Sequence, residues 1–144
     1  MKPEMKELSL STLAHYAITY EPCPPLLRGA NSRRLSAEEI TETCELLLAT
    51  ARHYACRYWL LDGRSHQQAQ PQALHDWMRD EYFPRLSREL GPGACLCFLV
   101  PEPVWTGLPA LGYGQLQNGF VHGVRMGWFT DEAAALDWLA RQRT

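Results

Sequence analysis

The reactive side chains of this chain are concentrated in one short segment, residues 58–67, which read YWLLDGRSHQ. Asp62 and Arg64 stand where an apolar run ends, and ligands of open α/β sheets bind outside the carboxyl ends of the strands. Glu102 and Asp131 follow two further apolar runs in the same way. The sequence therefore predicts a ligand-binding rim made of these four residues.

Two other interpretations of this segment remain open. Asp62 can accept backbone N–H bonds within its own loop while Arg64 pairs with a nearby acid. The run GRSHQ is also a near miss of the G-x-S-x-G nucleophile elbow, with Gln67 at the second glycine position. Because His66 is adjacent to Ser65 in the chain, it cannot easily act as the base for that serine. The sequence predicts no catalytic residue, and a small hydrolase is kept as an alternative.

Metal and cofactor motifs are incomplete. His53-x-x-Cys56 spans a helix end and a strand start, and Cys95-x-Cys97 puts both thiols on one strand face. The run GYGQLQNG (112–119) has a glutamine where a dinucleotide fingerprint needs its third glycine. We expect no metal and no cofactor.

Composition restricts the class of protein. The chain has 144 residues, 46% of them apolar, and a formal charge of -2, which is typical of one globular domain without a nucleic-acid-binding field. The start MKPEMKELSL lacks the apolar segment of a signal peptide, and no apolar run reaches the ~20 residues of a membrane span. Five cysteines without disulfide spacing indicate free thiols, so we expect a cytoplasmic protein without a membrane span.

Hydrophobic periodicity predicts the elements. Residues 14–22 and PLLRGAN form a hairpin, and Ser36 with Glu39 forms the capping box of a helix. Pro71 starts a second helix, in which Pro84 predicts a kink or break near Tyr82–Phe83. The other predicted elements are strands CRYWLLD, ACLCFLV and VRMGWF, a weak helix near 108–116, and a helix in TDEAAALDWLARQ capped by Thr130.

The segment from 104 to 119 is apolar without being regular. It is rich in glycine and proline yet carries Trp105, Leu108, Leu111 and Tyr113. Such a segment either covers the edge of the sheet or presents an apolar patch to a partner. We expect these four residues to form an interface, with self-association into a homodimer as one form of it.

The order of elements predicts an α/β fold. Helical crossovers between apolar strands favour one mixed, mostly parallel sheet of about five strands with packed helices and an antiparallel first strand. No repeat or linker divides the chain. We expect an N-terminal extension over residues 1–12 and a single domain over 13–144.

Four segments together resemble a known group of proteins. They read YWLLDGR, LHDWMRDEYFPRL, ACLCFLVPE and WFTDEAAALDWL, in this order. The chain is similar over residues 13–142 to the small STAS-like, SpoIIAA-like bacterial domain proteins of unassigned function. The resemblance implies a mixed sheet packed by helices and a non-enzymatic regulatory or interaction role, by protein binding or self-association.

Phosphoregulation is not carried over from this resemblance. In the anti-sigma antagonist members, a serine at the start of the helix after this strand accepts phosphate. The corresponding stretch QQAQPQ has no serine or threonine, and Ser65 lies too early, within the loop.

The alternative function is a small-ligand or lipid sensor with a pocket at the strand ends near Asp62, Arg64 and Glu102.

Overall fold

The computed structural model describes residues 8–9, 15–66 and 70–143. Residues 67–69, half of the stretch QQAQPQ, and most of the predicted N-terminal extension lie outside these ranges. The strands are β1 (Leu8–Ser9), β2 (Tyr16–Pro22), β3 (Pro25–Asn31), β4 (Tyr58–Asp62), β5 (Ala94–Leu99), β6 (Gly119–Val121) and β7 (Val124–Phe129). The helices are α1 (Ala37–Tyr54), α2 (Gln72–Trp77), α3 (Phe83–Leu90), α4 (Glu102–Gly107) and α5 (Glu132–Gln142).

The described strands form one mixed sheet in the order β1-β2-β3-β4-β5-β7-β6. The central strands β3, β4, β5 and β7 run parallel, whereas β1, β2 and β6 pair antiparallel with their neighbours. The predicted α/β class, the mixed sheet and the opening hairpin of β2 and β3 are confirmed. The carboxyl ends of the four parallel strands meet at one edge of the sheet.

Helices cover both faces of this sheet. The parallel strands advance in one direction across it, so right-handed crossovers place α1, α2, α3 and α4 on the same face. Their core cluster contains inward residues of the strands such as Trp59, Leu96 and Met126. The opposite face packs against α5, where Leu60, Cys97 and other strand residues contact Trp138 and Leu139. Because side chains alternate along each strand, they pack into two separate cores, one on each face of the sheet.

Helix α1 follows its sequence signals closely. The side chain of Ser36 accepts a hydrogen bond from the Glu39 backbone N–H, and the Glu39 side chain accepts one from the Ser36 backbone N–H. This is the predicted capping box, and it satisfies backbone donors that the first turn leaves without partners. The predicted apolar stripe is buried from Cys44 to Ala51, with Ile40 half-buried. These contacts fix one side of α1 over the sheet.

The helical segment around Pro84 changes its hydrogen-bond pattern but stays helical. A π-helical turn, Met78–Tyr82, joins α2 to α3, so that the three pieces continue one another. Pro84 has no N–H to donate, and a wider turn before it accommodates the missing bond. The predicted irregularity is confirmed near Tyr82–Phe83, although it is a π turn and not a break.

Four details differ from the sequence prediction. The sheet has seven described strands, because two very short strands, β1 and β6, add to its ends. The helix expected near 108–116 lies earlier, as α4 and a 3-10 turn at Leu108–Leu111. Asp131 rather than Thr130 caps α5, because its side chain accepts the Ala134 N–H at 2.9 Å. Part of the expected extension, β1, pairs with β2.

Helix α5 approaches the sheet closely over Gly127. A Cβ atom at this position would lie 2.7 Å from Phe129 Cε2 and 3.2 Å from Trp138 Cε2. The missing side chain therefore makes room for the Trp138 ring against β7. Among the described helices, none is long and apolar enough to cross a membrane.

Candidate ligand-binding cavity

A cavity of about 150 Å³ lies between the sheet and the helices at the carboxyl ends of the parallel strands. Its walls come from the ends of β3, β4, β5 and β7, from α1 and α2, and from the loops that follow the strands. The lining residues are Tyr16, Asn31, Leu35, Ile40, Thr43, Cys44, Leu47, Leu61, Asp62, Gly63, His66, Gln70, Leu74, His75, Met78, Phe98, Leu99, Val100, Val104 and Trp128. Most of this surface is apolar.

Helix α1 supplies one wall of the cavity through its buried stripe. Ile40, Thr43, Cys44 and Leu47 all line it, since residues three or four apart share one side of a helix. Thr43 is a polar member of an otherwise apolar stripe, and only 4% of it is exposed. The capped first turn holds this wall in place.

Aromatic rings form another wall. Phe98 of β5 and Trp128 of β7 stack with their centroids 4.3 Å apart and an interplanar angle of 17°. Tyr113 packs against Trp128 at 4.9 Å and donates or accepts a hydrogen bond of 2.9 Å with His75 Nδ1. These contacts hold the rings against one another.

The loop after β4 closes the side of the cavity nearest the solvent, where the lining residues are only half-buried. The Ser65 hydroxyl donates to the carbonyl oxygen of Asn31 at 3.0 Å. The ring of His66 accepts the Leu35 N–H at 3.4 Å and contacts the Gln70 amide at 2.6 Å. These hydrogen bonds hold Ser65, His66 and Gln70 against the segment that leads from β3 into α1.

The Tyr16 ring reaches the cavity because Gly29 leaves room for it. A Cβ atom at Gly29 would overlap the Tyr16 hydroxyl on the neighbouring strand. The ring therefore lies directly over Gly29 of β3 and lines the cavity. Burial raises the pKa of Tyr16, so its hydroxyl keeps its proton at neutral pH.

The other titratable groups of the cavity are held mostly uncharged. Burial, with the positive charge of Arg79, lowers the pKa of His75, and burial, with Arg34, lowers the pKa of His66. Burial raises the pKa of the Cys44 thiol to about 12. At neutral pH both imidazoles are therefore uncharged and the thiol is protonated.

Asp62 is the charged exception, and Arg64 neutralises it. The Arg64 guanidinium donates to both carboxylate oxygens at 3.0 and 2.8 Å, and its backbone N–H donates at 3.0 Å. Burial raises the pKa of Asp62, but the bonds from Arg64 outweigh burial, and the pKa is lowered overall. Glu132 contacts both Arg64 and Arg28, at 3.4 and 3.2 Å. The aspartate belongs to an ion-pair network beside the cavity.

The predicted rim is therefore brought together only in part. Asp62 lines the cavity and pairs with Arg64. This pairing agrees with the interpretation in which Asp62 and Arg64 serve their own loop. Asp131 is close enough to raise the pKa of Arg64, but it is exposed and caps α5. Glu102 is exposed at the start of α4. Arg64, Glu102 and Asp131 are not among the lining residues.

The residues predicted to form an interface divide into two pairs. Leu108 and Tyr113 are buried in the core, because the irregular segment folds back over the sheet. Trp105 and Leu111 are half-buried, and the Trp105 indole N–H donates to the carbonyl oxygen of Trp128 at 3.2 Å. Of this set, only Trp105 and Leu111 have surface available to a partner.

Sequence reasoning missed the two residues that distinguish this cavity, Thr43 and Trp128. In each case a signal existed: Thr43 interrupts the apolar stripe of α1, and Trp128 shares a strand face with Val124 and Met126.

Within the described ranges, no three His, Cys, Asp or Glu side chains come together in a way that could hold a metal ion.

Comparisons with known proteins add no relative. No protein-family profile, curated protein or solved structure matches the chain. The resemblance to STAS-like domains stays a prediction, and the cavity itself is the basis for a functional proposal.

Proposed function

We propose that this protein binds a small, largely apolar molecule in the cavity at the carboxyl ends of its parallel strands. The observation that carries the proposal is the cavity of about 150 Å³ with mainly apolar walls. Apolar cavities of about this volume take up molecules the size of benzene. Its position also matches the edge where open α/β sheets bind their ligands.

Binding without turnover is the form of this proposal that the side chains favour. The Cys44 thiol faces the cavity protonated, and a thiol reacts as a nucleophile only when it is ionised. The Ser65 hydroxyl is engaged with a backbone carbonyl, and His66 is engaged with the start of α1. The polar groups thus hold the walls together, which suits a sensor or carrier.

Filling the cavity tests the proposal. Val104 is buried in the wall, so Val104→Leu and Val104→Phe should reduce the available volume in two steps. Benzene at saturating concentration should raise the Tm of the wild type, because a ligand that binds only the folded state stabilises it. The rise should shrink with Leu and vanish with Phe.

The matched control is Val121→Phe on β6, which is outside the cavity and should keep the full response to benzene. Native mass spectrometry of gently purified protein should also show a retained small molecule. A wild type whose Tm does not respond to benzene, or a response that survives in Val104→Phe, would contradict the proposal.

Self-association is a second candidate, and one observation favours it. Phe120 is 66% exposed on β6, the strand at one edge of the described sheet. Exposed apolar edge strands are templates for pairing with another chain. Light scattering after size exclusion should then show a dimer that Phe120→Lys disrupts. A protein that stays monomeric at high concentration would remove this candidate.

A further inference from the structure

Two buried polar atoms in the cavity wall have no hydrogen-bond partner within the described part of the chain. They are Thr43 Oγ1 and Trp128 Nε1. Their residues are 4% and 5% exposed, and the two atoms themselves have almost no surface accessible to water. Both residues line the same cavity.

Neither atom follows the usual pattern of its residue type in this protein. Threonines in described helices return their hydroxyl to the backbone, as Thr50 does to Leu46 at 2.8 Å and Thr41 to Glu38 at 2.7 Å. Three of the other four indole N–H groups donate to backbone carbonyl oxygens, those of Trp59, Trp105 and Trp138. Thr43 and Trp128 are therefore exceptions, and both residues line the same cavity.

Leaving such atoms without partners is costly. A buried polar group that lacks its hydrogen bond has lost its hydration without any replacement, which destabilises the fold. Burying two of them against the same cavity is explained if the molecule that fills the cavity supplies the partners. The indole N–H can only donate, whereas a threonine hydroxyl can donate and accept. The molecule must therefore carry an acceptor atom.

The charge of the surroundings restricts the molecule further. The described lining contains no lysine or arginine, and its one carboxylate, Asp62, is already paired with Arg64. A charged molecule would lose its hydration without gaining a counter-ion. The site thus suits an uncharged occupant.

We infer that the cavity binds a neutral molecule with an apolar body about the size of a benzene ring and one carbonyl or hydroxyl oxygen. That oxygen accepts a hydrogen bond from Trp128 Nε1. It also accepts one from Thr43 Oγ1 or, if it is a hydroxyl, donates one to Thr43 Oγ1. The inference rests on the proposed binding function, and it adds the chemical class of the ligand.

Phenol and toluene form a matched pair of probes, because they differ only in a hydroxyl or a methyl group. We expect phenol to bind at least threefold tighter, although toluene leaves water more readily. The affinities are measured by titration with ¹⁵N-labelled protein. The Trp128 indole proton should move downfield with phenol and with cyclohexanone, and benzoate should bind more weakly than phenol.

Variants of the two residues show whether these atoms cause the preference. Thr43→Val replaces the hydroxyl by a methyl group. In this variant toluene should bind more tightly than phenol, because toluene is the more hydrophobic of the two. Thr43→Ser keeps a hydroxyl and should keep the preference for phenol. Trp128→Phe removes the indole N–H and, like Thr43→Val, should abolish the preference for phenol. If Trp128→Phe does not fold, Thr43→Val alone makes this comparison.

The outcomes separate this inference from the proposed function. If toluene binds as tightly as phenol or more tightly, the inference is wrong while a binding cavity remains. If benzoate binds best, the inferred neutral class is wrong. If no probe binds, the proposed function fails and the inference fails with it.

Discussion

Thr43→Val should stabilise the ligand-free protein, which is unusual for a buried substitution. Valine has nearly the same volume as threonine, so the packing of α1 against the cavity is retained. The change removes a hydroxyl that is buried without a partner among the described residues. Because such a group costs roughly 1–3 kcal/mol, the free energy of unfolding should rise by about that amount. In a domain of this size the Tm should rise by about 3–9 °C.

Urea denaturation followed by tryptophan fluorescence measures this change, with the free energy extrapolated to water. Thr50→Val is the matched control on the same helix, since its hydroxyl donates to Leu46 at 2.8 Å. The control should lose stability or keep it, and should not gain. A Thr43→Val protein that is less stable than the wild type would show that the hydroxyl has a partner, such as a bound water, and would refute the reasoning.

Three further predictions concern packing, pH and thiols. Gly127→Ala should cost about 1–3 kcal/mol of unfolding free energy in urea, because the new Cβ overlaps aromatic rings under α5. Stability should fall as the pH drops below about 6.5, since the unfolded chain then protonates a histidine that stays neutral in the fold, and His75→Gln should flatten this slope. A thiol reagent should label Cys23 in the native protein and spare Cys44 until urea is added, because only Cys23 is exposed.

Each of these predictions has an outcome that would contradict it. Gly107→Ala, where a Cβ meets no atom within 4 Å, should be neutral, and an equal loss in both glycine variants would remove the packing argument. A pH slope that is unchanged in His75→Gln would assign the effect to other groups. Rapid labelling of Cys44 without urea would show that its thiol is accessible and ionised.

The regular elements could be predicted from the sequence because each has a local signal. The capping box at Ser36 starts α1, and the apolar run at 94–100 gives β5. Parallel crossovers then bring the strand ends to one edge, and Asp62, at the end of β4, lines the cavity there. Local signals and topology together thus identified the edge of the sheet that holds the cavity.

The rest of the site depends on contacts between residues distant in sequence. The network that binds Arg64 includes Glu132, which comes from another helix and leaves no pattern near position 64. The cavity itself is a gap between α1, the strand ends and the ring of Trp128, and a gap has no sequence signal. Leu108 and Tyr113 look like surface in a glycine-rich segment, but tertiary packing buries them.

The two separate cores have a consequence for local unfolding. One helix, α5, covers one face of the sheet, whereas the cavity and the longer helices belong to the other. Proteins open in cooperative units that follow such divisions. Amide hydrogens in α5 should therefore exchange with solvent through an opening of their own. A ligand in the cavity would slow exchange in α1 and α2 and leave the rate in α5 unchanged.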